Sequence, residues 1–287
     1  MKIAFLSVVG MTVLIILISL LVIHSLLNPA RKEIDEFPEH DYQEVSFSPR
    51  DGELDLKGWL IPAGKNSSRT IIFAHGYGNN RTENISVANH LVKKGFNVLL
   101  FDFRNSGQSA SDLTTIGQKE VFDLLGAVDF IQQKREQQNI GVIGFSMGAA
   151  TALQAAKREP AIKALVVDSA FSDLNSYLKK SLTVWTKLPA FPFNFFILRL
   201  GRLLYGLEPK KVNPLQCSVE IERPVFFIHG REDKLIGPEN SRQMYKESSG
   251  SEDKLWEIPG VGHVEAAEEK SDEYNQKVNE FFLEHLN

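Results

Sequence analysis

The chain has 287 residues, of which 43% are hydrophobic and 24% charged, and a formal net charge of −4. Such a composition excludes disorder, and the length beyond an apolar amino terminus fits a single α/β domain. Acids and bases are interspersed, so no basic stripe points to nucleic acid. A lone cysteine, Cys217, excludes an intrachain disulfide, and no Cys/His cluster has metal-site spacing, so neither metal nor cofactor is expected.

From Ile3 to Leu27 the chain is apolar apart from Ser7, Gly10, Thr12, Ser19, His24 and Ser25. A helix of that length crosses a hydrocarbon layer of about 30 Å with some tilt. A cleaved signal peptide would have a shorter apolar core and a small-x-small cleavage site, which Ser25-Leu26-Leu27 and Asn28-Pro29-Ala30 fit poorly. Residues 1–27 are therefore read as one uncleaved transmembrane anchor. Lys2 on one side nearly balances Arg31 and Lys32 on the other. A short amino tail favours a domain outside the cytoplasm. Triplets for glycosylation at Asn66, Asn80 and Asn84 do not fix the side.

Residues 28–41 are charged and non-periodic, which reads as a linker, and the catalytic domain is expected over 42–287. Tyr42–Ser48 and Leu54–Ile61 alternate around Pro49-Arg50-Asp51-Gly52, a hairpin signal. After the polar loop Gly64–Arg69 come continuous apolar runs at Thr70–Ala74, Asn97–Phe101, Ile140–Phe145, Ala164–Val167 and Val225–Ile228, with a mixed run at Lys254–Ile258. Such runs are strands buried on both faces of a parallel sheet. Helical patterns at Thr82–Lys94, Lys119–Gln137, Met147–Arg158, Glu239–Glu247 and Asp272–Leu286 separate them, which makes βαβ units. Residues 171–217 are too long for a crossover and rich in aromatic and basic residues. They read as a small helical cap over the carboxyl ends of the strands, broken near Pro189 and Pro192.

Gly144-Phe145-Ser146-Met147-Gly148 matches G-x-S-x-G. A strand runs into it and an Ala-rich helix runs out, the strand–turn–helix that a nucleophile elbow requires. A serine hydroxyl needs a base within hydrogen-bond reach. Of seven histidines, His24, His40, His90 and His285 lie in the anchor, the linker, a helix and the carboxyl terminus, while His75 and His229 are assigned to turns. His263, in the loop Gly260-Val261-Gly262-His263 between the last strand and the last helix, suits a base delivered to the top of the sheet. Asp233, after the run Val225–Ile228, gives the order Ser, Asp, His, with Glu232 and Asp168 as rivals for the acid. Oxyanion donors are expected from the backbone N–H of Met147 and of Tyr77, in His75-Gly76-Tyr77-Gly78-Asn79-Asn80, where His75 is expected to brace the loop.

From about residue 45 onward these motifs resemble the α/β-hydrolases of the serine-aminopeptidase-like and prolyl-oligopeptidase-like branch. More narrowly, they resemble the membrane-anchored bacterial and fungal hydrolases of mostly unassigned substrate. The pieces are His75-Gly76, Asp102-Phe103-Arg104-Asn105-Ser106-Gly107-Gln108-Ser109, Gly144–Gly148, Asp168-Ser169-Ala170-Phe171-Ser172-Asp173, Gly230–Asp233 and Gly262-His263. The resemblance implies the α/β-hydrolase fold, with a mostly parallel central sheet flanked by helices and capped by a small insertion. It also implies acyl-transfer chemistry, and a turn over Asp102–Ser109 that braces the site, with Asn105 where the family usually has glycine.

The fold does not name a substrate. The expected substrate is a small acyl compound, most readily a carboxylic ester with an apolar acyl group, with an aminopeptidase or amidase as the alternative. Haloalkane or epoxide chemistry would need a carboxylate at position 146. A tethered non-catalytic binder would be expected to have lost one of Ser146, Asp233 and His263, and all are present.

Overall fold

The computed structural model describes residues 1–64, 67–134 and 139–286. Asn66 of the first glycosylation triplet and the end of the helix expected through Gln137 lie outside them. The chain opens with α1 (Lys2–Leu27), followed by β1 (Gln43–Phe47), β2 (Leu56–Ile61), β3 (Arg69–Ala74), α2 (Ile85–Lys93), β4 (Asn97–Phe101) and α3 (Glu120–Lys134). Next come β5 (Asn139–Phe145), α4 (Met147–Arg158), β6 (Ile162–Asp168), α5 (Leu174–Thr186), α6 (Ala190–Tyr205) and α7 (Pro214–Glu220). The chain closes with β7 (Val225–Gly230), α8 (Glu239–Glu247), β8 (Lys254–Ile258), α9 (Ala266–Glu269) and α10 (Ser271–His285).

The strands form one sheet in the order β1-β2-β4-β3-β5-β6-β7-β8. The β1–β2 hairpin joins it antiparallel, Val45 opposite Gly58, and β2 pairs antiparallel with β4. From β4 to β8 every pairing is parallel. Alternate side chains serve two cores. Ile72, Leu99, Phe101, Val142 and Val167 pack with α3 and α4, while Ile71, Val98, Leu100, Ile143 and Val166 pack with α2 and α10. With both faces covered, these strands show no polar alternation.

The chain leaves β3 for α2 on one face and leaves neighbouring β5 for α4 on the other. The loops after β3 and β5 therefore diverge, and a crevice opens between them at the carboxyl edge, where open α/β sheets bind ligands.

Two features depart from the simple sequence pattern. Helix α2 begins at Ile85 rather than Thr82, because the preceding residues are bonded elsewhere. The N–H and guanidinium of Arg81 are held by buried Asp102, Asn80 Oδ1 accepts from Thr82 N–H at 2.8 Å, and Asn84 is left-handed with φ 56°. Residues 28–41 have no regular structure but lie against the domain. Arg31 donates to Ser109 O at 2.9 Å, Asn80 Nδ2 donates to the Lys32 and Glu33 carbonyls, and Phe37 packs on Trp59.

The cap is a hairpin of α5 and α6 followed by α7. Asp173 caps α5 through Ser176 N–H at 2.6 Å, and left-handed Lys187 ends that helix ahead of Pro189. Asn194 Nδ2 ties α6 back to Lys179 O at 2.8 Å. The last turns of α1 pack along α6, with Ser19, Ile23, Leu26 and Leu27 buried. Leu27 O accepts from Thr114 N–H at 2.9 Å, and Leu26 O accepts from the Tyr77 hydroxyl at 2.8 Å.

Candidate active site

Ser146 lies between β5 and α4 with φ 52° and ψ −112°. That conformation is costly for a residue with a side chain and persists only where its surroundings impose it. Its N–H donates to Asp168 O at 2.8 Å, which pins the turn to the end of β6. The flanking glycines are required by contact. A Cβ at Gly144 would stand 2.5 Å from Gly148 O, and one at Gly148 would overlap the Ala74 carbonyl oxygen of β3. Only without those carbons does α4 sit close enough to β3 to project Ser146 into the crevice.

His263 Nε2 lies 2.9 Å from Ser146 Oγ, and His263 Nδ1 lies 2.6 Å from Asp233 Oδ2. The carboxylate only accepts, so Nδ1 carries the proton and Nε2 is left to accept from the serine hydroxyl. Asp233 Oδ1 accepts from the backbone of Leu235 at 2.9 Å and Ile236 at 2.8 Å, which fixes its plane. Burial opposes the charge on Asp233, but hydrogen bonds from His229 and His263 outweigh it and hold this carboxyl well below the usual carboxylate range.

His229, assigned to a turn from its Gly neighbour, instead lies within β7 and is fully buried. Its Nε2 is 3.2 Å from Asp233 Oδ2 and 2.8 Å from Ile236 O, both acceptors, so that nitrogen carries a proton. Burial disfavours its charged form, yet the bonds to Asp233 and the Ile236 carbonyl prevail and its pKa is raised. Asp233 thus has two histidine partners.

Neither rival acid reaches His263. Glu232 accepts from Gly260 N–H at 2.6 Å, on the surface. Asp168, raised to about 6 by burial, accepts from Ser169 Oγ at 2.9 Å and Tyr274 OH at 3.1 Å. Ser169 Oγ in turn accepts from Val264 N–H at 3.3 Å, so Asp168 steadies the His263 loop from behind.

The N–H of Met147 heads α4, where the first turn has unfilled donors and the positive end of the helix dipole. Met147, Gly76 and Tyr77 line the same cavity as Ser146 and His263. His75 braces the Tyr77 loop. Its Nε2 accepts from Phe103 N–H at 3.0 Å, its Nδ1 donates to Gly76 O at 2.8 Å, and burial lowers its pKa, which keeps it neutral. The Asp102–Ser109 turn holds Arg81 below, and Asn105 takes the left-handed φ of 59° open to Asn.

Glu83 emerges as a site residue only in three dimensions. Its carboxylate accepts from Gly76 N–H at 2.5 Å and Asn79 Nδ2 at 2.6 Å, clamping the Tyr77 loop, and burial raises its pKa to about 7. Its sequence position at the start of a helical pattern gave no such signal.

The cavity has a volume of about 580 Å³ and mostly apolar walls. Tyr177 and Trp185 of the cap reach it, with Phe171, Leu182, Ile116 and Val264. The other cap rings do not line it; Phe193 packs on the core, and Phe191 and Phe195 are exposed. Ile116 and Val264 hold positive φ of 55° and 60°, which branched residues rarely adopt. Strain of this kind clusters where a structure fixes side chains for function. Helix α1 contributes Val22, Ser25 and Leu26 to the wall. The sequence could not reveal this, because a helix apolar all round does not show which face is buried.

Residues 69–197 match the α/β hydrolase fold family. The uncharacterized protein YqkD of Bacillus subtilis is 30% identical over 240 residues, 81% of this chain and 76% of that protein. Esterase EstD of Thermotoga maritima is 25% identical over 266 residues, 82% of this chain and 64% of its own length. Among solved structures, the Pyrococcus furiosus esterase Pf2001 superposes with a TM-score of 0.77 at 30% identity, over 91% of this chain and 99% of that one. The acylaminoacyl peptidase of Pyrococcus horikoshii, at 18% identity and a TM-score of 0.66, shares the fold over 86% of this chain and 41% of its own.

Proposed function

The chain belongs to the α/β-hydrolase family, and on that premise we propose that it is a membrane-anchored serine hydrolase cleaving carboxylic esters with apolar acyl groups. The observation that carries the reading is the unbroken relay Ser146–His263–Asp233, with contacts of 2.9 and 2.6 Å, at the floor of an apolar cavity. The esterase names of two relatives, EstD and Pf2001, point the same way.

In this reading His263 Nε2 takes the Ser146 proton as Oγ attacks the acyl carbonyl, and Asp233 stabilises the imidazolium so formed. The N–H groups of Tyr77 and Met147 receive the oxyanion. Collapse expels the alcohol, protonated by His263, and leaves an acyl-Ser146. Water, deprotonated by His263, then releases the acid and restores the hydroxyl.

The cavity wall supports an ester over an aminoacyl amide. Besides the relay, the acidic side chain lining it is Glu83, and both its oxygens already accept hydrogen bonds. An uncleaved anchor is supported by the burial of Ile23, Leu26 and Leu27 in the domain, which a removed leader would vacate.

The test is a series of p-nitrophenyl esters at fixed pH, with aminoacyl amides alongside. Each methylene buried contributes about 0.8 kcal/mol, or about fourfold in kcat/KM, until the space is full. Efficiency should therefore climb from acetate through butyrate to hexanoate. A steady fall from acetate, or a clear preference for aminoacyl amides, would reject the apolar acyl pocket.

A further inference from the structure

The apolar helix and the reaction cavity are one piece of structure. Val22, Ser25 and Leu26 of α1 face Tyr177, Leu182, Trp185 and Thr186 of α5 across the cavity. The cap holds α1 there, with α6 packed along its last turns. From Lys2 to Leu14, by contrast, every side chain is exposed.

Length then decides where the cap must sit. Those thirteen exposed residues rise only about 20 Å, whereas a hydrocarbon layer is about 30 Å thick. For α1 to span, about six more residues, roughly 15–20, must also lie in hydrocarbon. Those residues run into the stretch packed by α6, so the cap hairpin enters the membrane surface with them.

The outward face of the hairpin suits that position. Phe191 is 81% exposed, Phe195 60%, Val184 67% and Leu203 74%. Apolar exposure of this extent marks an interaction surface. The same hairpin carries exposed Lys179, Lys180, Lys187, Arg199 and Arg202, which suit a surface resting among anionic headgroups.

On the far side of His263 the chemistry changes. A polar cleft of about 700 Å³ is lined by Lys32, Asn79, Glu83, Glu268 and His263 itself. The relay therefore stands between an apolar cavity walled by the anchor and a polar cleft, which is the shape of an amphiphile.

We propose that the substrate is an ester of a bilayer lipid, whose acyl chain enters sideways from the membrane between α1 and α5 while its polar part occupies the cleft. The proposal rests on the serine-hydrolase reading and adds the substrate class and its route. The bond between Ser146 Oγ and the acyl carbon forms as the ester C–O bond breaks. The lipid alcohol leaves with the proton from His263, and water then yields the fatty acid.

The test uses the full chain reconstituted in phosphatidylcholine–phosphatidylglycerol vesicles carrying 4-methylumbelliferyl oleate, with p-nitrophenyl butyrate in the water as the soluble reference. Phe191→Asp with Phe195→Asp, both outside the cavity, should cut oleate hydrolysis about tenfold or more and leave butyrate hydrolysis within about twofold. Val22→Trp, which fills cavity space between its α1 and α5 walls, should lower the oleate-to-butyrate ratio about tenfold. A wild type that cleaves butyrate but not oleate in the bilayer overturns the proposal. So does an unchanged ratio in Val22→Trp, the deciding result if the double variant loses both activities by misfolding. Fluorophosphonate labelling separates the two claims. If Ser146 is labelled but oleate is untouched, the lipid proposal fails and the nucleophile stands. If Ser146 is not labelled, the underlying reading fails.

Discussion

Replacing Asp233 by Asn tests the relay at its most constrained atom. The new amide can keep its oxygen on the N–H groups of Leu235 and Ile236, which now meet Asp233 Oδ1 at 2.9 and 2.8 Å. Its NH₂ then takes the place of Oδ2, 2.6 Å from His263 Nδ1 and 3.2 Å from His229 Nε2. A donor there forces His263 to protonate Nε2, so the ring presents N–H to Ser146 and cannot accept the hydroxyl proton. A tautomer fixed the wrong way costs about 10⁴ in kcat, or about 5.4 kcal/mol of transition-state stabilisation. His229 loses an acceptor as well, which lowers stability by about 1–3 kcal/mol. The assay is kcat for p-nitrophenyl butyrate, with circular dichroism melting as the check on folding. Asp168→Asn, which touches Ser169 and Tyr274 but not His263, should cost less than about tenfold. Activity of Asp233→Asn within about tenfold of wild type, or a greater loss in Asp168→Asn with both folded, would refute the assignment of the acid.

Gly148→Ala should lower stability by about 1–3 kcal/mol and depress kcat, because its Cβ would run into the backbone of Ala74 and His75, neither of which is a flexible side chain; an unchanged melting temperature and kcat would contradict that. Glu83 gives a pH prediction. Its pKa rises from an ordinary carboxyl value to about 7 in the fold, so between those values the native state holds a proton that the unfolded chain has lost. Stability should therefore fall as pH rises through that window and level off above it. Glu83→Gln should flatten the slope of the urea midpoint between about pH 5 and about pH 8, though Asp123 and Asp168, raised to about 7 and about 6, keep part of it. An unchanged slope would show that Glu83 ionises normally.

What the sequence reveals and hides follows from the range of the forces involved. The strands at Asn97–Phe101 and Lys254–Ile258 and the helix at Met147–Arg158 have the boundaries read from pattern, since burial on both sheet faces and the elbow glycines act locally. That Ser146, Asp233 and His263 would meet was legible because the chain order places each after a strand, on the same edge of the sheet. His229 was misread because its meaning depends on Asp233 and on the Ile236 carbonyl, which a strand and a loop bring together. Glu83 hid inside a helical pattern that Asp102 and Asn80 cut short through Arg81 and Thr82. The part of α1 in the cavity wall had no local mark, because Val22 and Leu26 read as two more apolar residues of a continuous run.

The most direct measurement of the central claim is fluorophosphonate labelling of the full chain beside its Ser146→Ala variant, with the modified residue located by mass spectrometry. One hydroxyl is removed with little loss of packing, so the variant should melt as the wild type does. The wild type should be labelled at Ser146 and hydrolyse p-nitrophenyl butyrate, and the variant should do neither beyond a small residual rate. A folded Ser146→Ala protein that is labelled and turns over ester like the wild type would contradict the account.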